Sequence, residues 1–145
     1  TQEVENIDLD YNITDNTIKE FFFPAREKLF AYTKKDGKVN LKAIEDKDER
    51  QTIFFGLRSC DVRAVYFQDN FFAQEPKDTF YLRKRFKGIL ISFACNKAPR
   101  QSCFCVYTKT GPFLEKGQGF DLQFIDYGGV IGRFYSGVCR FVEER

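Results

Sequence analysis

The sequence specifies a single α/β domain with a mixed β-sheet, and three of its features do so. Two short apolar runs, 52–57 (Thr-Ile-Phe-Phe-Gly-Leu) and 86–94 (Phe-Lys-Gly-Ile-Leu-Ile-Ser-Phe-Ala), are rich in β-branched and aromatic residues and bounded by polar ones. That is the pattern of strands buried within a sheet. Val62, Val65, Tyr66, Asp69 and Phe72 then recur at helical spacing directly after the first run. Further on, segments 120–126 and 130–135 flank Tyr127-Gly128-Gly129, which reads as a hairpin whose glycines supply positive φ. Parallel neighbours joined through a helix, with an antiparallel hairpin added, make a mixed sheet.

Taken in order, residues 1–20 carry Asp, Asn, Thr and Glu without a sustained period and read as a loosely structured lead-in to a domain over 21–145. Phe21-Phe22-Phe23 is an apolar run stopped by Pro24, and 25–32 follows as a short helix or strand. The cluster at 34–38, Lys-Lys-Asp-Gly-Lys, is a turn, and 41–50 is a polar surface segment with helical character. After the strand at 52–57, Ser59 or Asp61 caps the helix, so Cys60 sits at a strand-to-helix turn. Cys95 closes the strand at 86–94, and if the two strands are parallel neighbours Cys60 and Cys95 share one edge of the sheet. The loop at 96–101, with Pro99, brings Cys103 and Cys105 back over that edge.

Composition narrows the function classes. A chain of 145 residues with 18 Phe and 7 Tyr can bury an aromatic core without disulfides or metal, and its 30% charged residues with 43% hydrophobic ones describe a folded domain. A net charge of +2 points to no nucleic acid. No stretch approaches the roughly 18 apolar residues of a membrane span, and the acidic start is unlike a signal peptide, so the expected location is cytoplasmic. Absence of Met indicates a piece of a longer chain. With no His, no G-x-S-x-G elbow and no acid/base pair, a hydrolase finds no support. The glycine-bearing loops at 111–112 and 116–119 are turns; neither is a dinucleotide fingerprint.

What remains is sulfur. Cys60, Cys95, Cys103 and Cys105 can be gathered around one centre, and thiolates without His select an iron–sulfur cluster or zinc. A cubane takes four thiolates from different directions, as two remote cysteines and a C-x-C pair supply. Structural zinc also accepts four Cys, although its paired ligands are usually two to four residues apart. Ordinary buried thiols are the third reading. Asp61 suits the helix N-terminus better than a metal. Cys139 stands apart and is left unassigned.

Several motifs occur together in order: Phe23-Pro24-Ala25-Arg26-Glu27-Lys28-Leu29-Phe30, then Phe55-Gly56-Leu57-Arg58-Ser59-Cys60-Asp61 with Asp69-Asn70-Phe71-Phe72, then Cys95-Asn96, Cys103-Phe104-Cys105, Gly111-Pro112 and Gly119-Phe120-Asp121-Leu122. This set resembles the amino-terminal domain of an iron–sulfur subunit family, the one that includes the β subunit of soluble sulfhydrogenases and its counterpart in anaerobic sulfite reductase. The resemblance spans residues 21–137. It implies an electron-transfer subunit, without substrate chemistry of its own, between a flavin- and nucleotide-binding partner and a catalytic oxidoreductase subunit. It also implies that Cys60, Cys95, Cys103 and Cys105 hold one [4Fe–4S] cluster, in loops at one edge of the sheet. The ferredoxin-like two-cluster region of the family has no counterpart here. The rival expectation is a zinc-stabilised or metal-free structural domain that docks partner subunits.

Overall fold

The first apolar run becomes a strand and the stripe behind it a helix, giving the strand–helix–helix–strand unit on which the molecule is built. The computed structural model describes residues 16–44, 50–126 and the strand at 134–135. Its elements are α1 (Lys19–Phe22), β1 (Phe30–Lys35), β2 (Lys38–Ala43), β3 (Thr52–Arg58), α2 (Ser59–Phe72), α3 (Thr79–Lys87), β4 (Gly88–Phe93), α4 (Cys105–Thr108), β5 (Leu122–Phe124) and β6 (Phe134–Tyr135). Strands β3, β4, β5 and β6 form one sheet in that order. The first three run parallel and β6 antiparallel to β5, with Gln123 opposite Tyr135 and Phe124 opposite Phe134, so the sheet is mixed. The glycine turn expected at 127–129 lies outside the described residues, as does Cys139.

Helices α2 and α3 pack on β3 and β4. Between them Val62 and Val65 of α2, Tyr81 of α3 and Leu90 of β4 join Ile18, Phe22, Leu114 and Phe120 in one buried cluster. Ile18 is 8% exposed, so order begins before Phe21, inside the segment expected to be a loose lead-in; residues 1–15 lie outside the described residues. A buried polar pin crosses the two helices. The Asp69 carboxylate accepts from the Tyr81 hydroxyl at 2.6 Å and from Arg85 Nε at 3.0 and 3.1 Å. Arg85 also donates to the carbonyls of Gly88 and Gly119, which ties the start of β4 and the approach to β5 to the same group.

Three expectations change. Residues 41–43 belong to β2, because Asp36 and Gly37 take positive φ (51° and 77°) and reverse the chain into an antiparallel ribbon with β1. Phe86 and Lys87 complete α3 rather than opening β4; α3 is started by Asp78, whose side chain accepts from the backbone N–H groups of Phe80 and Tyr81. Among the described residues β3 is an edge strand of the sheet and is not covered on both faces: Ile53 is 62% and Phe55 67% exposed. A bulge between Phe55 and Leu57, with Gly56 at φ 84°, shifts the alternation by one. Leu57 therefore follows Phe54 onto the core. Arg58 moves to the register opposite Phe93.

Candidate metal centre

Parallel pairing of β3 with β4 aligns their carboxyl ends, and that alignment decides where the cysteines go. Arg58 pairs with Phe93 at the last register position, so Cys60 in the first turn of α2 and Cys95 just beyond β4 emerge at the same end of the sheet. Cys103 follows in the loop after Cys95, and Cys105 opens α4. All four thiols line one pocket of about 390 Å³, together with Arg58, Asn96, Pro99, Phe104, Val106 and Pro112. Cys60 and Cys95 thus lie at one end of the sheet, and Cys103 and Cys105 line the same pocket.

The pocket is held from beneath by hydrogen bonds between segments remote in sequence. The Pro112 carbonyl accepts from Ser59 Oγ at 2.8 Å and from the Cys95 backbone N–H at 3.1 Å. Gln123, 2% exposed, donates from Nε2 to Ser59 Oγ at 3.4 Å and accepts at Oε1 from the Leu114 N–H at 3.2 Å. Of the two residues expected to cap α2, Ser59 does not do so with its side chain; Arg58 holds the cap position and the Ser59 hydroxyl is used across the fold. Asp61 stays at the helix start, its carboxylate bonded to the Arg58 backbone N–H. Lys109 ends α4 in the left-handed region, and the chain returns so closely that a Cβ added to Gly111 would meet Cys105 Sγ at 3.0 Å. That close approach explains the glycine.

Burial favours the protonated form of two of these sulfurs, Cys60 and Cys95. The Cys60 thiol is pushed up to about 11, first by lost hydration around the sulfur and then by Asp61, Cys105 and Cys95. Burial likewise raises Cys95, against the pull of Arg58, whose Nη1 donates to Cys95 Sγ at 3.6 Å. An incoming metal must therefore displace protons here. The four cysteines are free thiols, Cys60 exposed and the others half-buried. Among the described residues no three Cys, Asp or Glu side chains gather closely enough to hold a single metal ion, so the thiols line the walls of the pocket without meeting at a point. Arg58 and Ser59 are the site residues that the sequence reading missed in these roles. Their only local signal was adjacency to Cys60.

The rim is apolar. Phe104 and Val106 are 65% and 66% exposed. Among the described residues no helix is long and apolar enough to cross a membrane.

Comparison with known proteins finds a distant homologue over most of the chain. The chain is 28% identical, over 124 residues, to the Sulfhydrogenase 2 subunit beta of Pyrococcus furiosus, an alignment covering 83% of this chain and 34% of the relative. It thus spans about a third of that protein's length. No family model matches the chain, and no solved structure matches it.

Proposed function

From that homology and the four-thiol pocket, we propose that the chain is an iron–sulfur electron-transfer domain of a hydrogenase-type or sulfite-reductase-type complex. Cys60, Cys95, Cys103 and Cys105 would hold one [4Fe–4S] cluster. The carrying observation is that these four thiols, from three separate segments, line a single pocket. The donor set suits the group: it is all sulfur, the chain has no His, and the pocket has volume for a polynuclear body.

When bound, such a cluster supplies a one-electron couple. Bonds in the chain are neither made nor broken. The protein's own residues would position that couple and limit its contact with water, and the couple would accept one electron from a reduced flavin on a nucleotide-binding partner and pass one to the catalytic subunit. The apolar rim at Phe104 and Val106 supports close approach of a partner, which electron transfer requires. A reducing, cytoplasmic setting fits four free thiols.

The test is anaerobic analysis of the full chain for iron, sulfide and zinc, with visible and EPR spectra. Four iron and four sulfide per chain are expected. Serine at any one of Cys60, Cys95, Cys103 or Cys105 should lower iron or yield a three-iron species, and Cys139→Ser should not. Zinc in place of iron would overturn the proposal and leave a docking domain.

A further inference from the structure

The thiol pocket contains a cation that the ligand set does not use. Arg58 is the residue with a permanent positive charge among those lining the pocket, and it is 6% exposed. Its place is fixed by the bulge at Gly56, which sets Arg58 opposite Phe93 at the last register position of β3. From there Nη1 reaches Cys95 Sγ at 3.6 Å. We propose that Arg58 is a positioning residue that raises the reduction potential of the cluster by donating a charge-assisted N–H···S hydrogen bond to the Cys95 sulfur. The inference rests on the proposed function above.

The physical argument concerns which redox state the cation favours. Reduction adds one electron, hence one negative charge, spread over the cluster and its thiolates. A fixed positive charge stabilises the more negative state more strongly. Net charge and hydrogen bonds to the sulfurs are among the factors that set the potentials of such centres. Burial strengthens the effect, because water screens the pair less than it would at the surface. Arginine suits the role better than lysine: it does not release its proton in proteins and its donors form a rigid fork. Other bonds of the site also bear on Cys95. Its backbone N–H is held by the Pro112 carbonyl, so both its main chain and its sulfur are bonded before any metal arrives.

The experiment reconstitutes the full chain anaerobically with iron and sulfide and titrates it with dithionite as the electron source, following the potential by EPR and counting iron in each sample. Wild type is compared with Arg58→Gln, Arg58→Met and Arg58→Lys. The neutral variants should keep their iron and become harder to reduce by about tenfold in the one-electron equilibrium, which is about 59 mV. Arg58→Lys, which keeps the charge and loses the fork, should recover part of the shift. Unchanged potentials in the neutral variants at full iron content would overturn this inference alone. Iron lost from both neutral variants would also overturn it, since Arg58 would then hold the site and not tune it. A wild-type chain that takes up no iron under these conditions would instead overturn the proposed function.

Discussion

Pro112 contributes no reactive side chain, but its carbonyl joins the two thiol-bearing strand ends by accepting from Ser59 Oγ and from the Cys95 N–H. Replacing Ser59 by Ala removes one donor from that half-buried carbonyl and the buried acceptor for Gln123 Nε2. Such a loss costs about 1–3 kcal/mol. Urea unfolding of Ser59→Ala should show a lower midpoint with an unchanged slope. The positions of Cys60 and Cys95 were legible in the sequence because each follows a strand whose pattern is plain, whereas α4, which Cys105 opens, left no such signal. Ser59 was legible only as a local cap. Nothing near position 59 reveals that its partner is a carbonyl far along the chain, and a hydroxyl beside a helix start has the same local pattern in either role.

Helices α2 and α3 owe their arrangement to one carboxylate. Asp69→Ala would leave the 7%-exposed Arg85 without its counter-charge, a loss of about 3–5 kcal/mol, measurable by chemical denaturation. The same pin predicts a pH effect. Burial first, then Asp69, raises the Tyr81 hydroxyl far above its ordinary value of 10.0. Below that value the associated stability is fully present. As pH rises past it, the unfolded chain ionises this tyrosine while the folded chain does not, so stability falls. Denaturation at several alkaline pH values should show this fall, and Tyr81→Phe should flatten it. Strands β3 and β4 and helix α2 were readable because their apolar residues keep one period. Helix α3 was not, since Arg83, Lys84, Arg85 and Lys87 interrupt its apolar stripe and its strongest signal is the single cap Asp78. Residues 41–43 look polar enough for a surface helix; pairing across the Asp36-Gly37 turn overrides that local preference.

The domain as a whole is expected to fold without metal. Its core lies between the helices and the sheet, with Val62, Val65, Tyr81 and Leu90 at most 1% exposed, while the thiol pocket sits at the strand ends. Removing iron by chelation should therefore leave the far-UV circular dichroism nearly unchanged and alter order mainly around Cys60 and over 95–105. Wholesale loss of secondary structure would instead mark a metal that builds the fold. The mixed sheet and the placing of Cys60 and Cys95 at one end of it were both readable in advance, because parallel pairing converts two strand-end positions into neighbours. The outer position of β3 was not, since an apolar run gives composition and leaves strand order open.

The ribbon of β1 and β2 stands apart from the main sheet, and every residue in both strands is exposed. An isolated two-stranded ribbon is marginally stable in water. Its base is tied by the Lys84–Glu27 ion pair at 2.6 Å and the Ile44 N–H to the Leu29 carbonyl, so opening can stop there without reaching α3. The ribbon should consequently behave as a separate cooperative unit with a small opening free energy. In native-state hydrogen exchange the amides of β1 and β2 should lose their protons orders of magnitude sooner than those of β4, and a protease should cut at Asp36-Gly37 while the thiol pocket remains closed to alkylation beyond its ordinary rate.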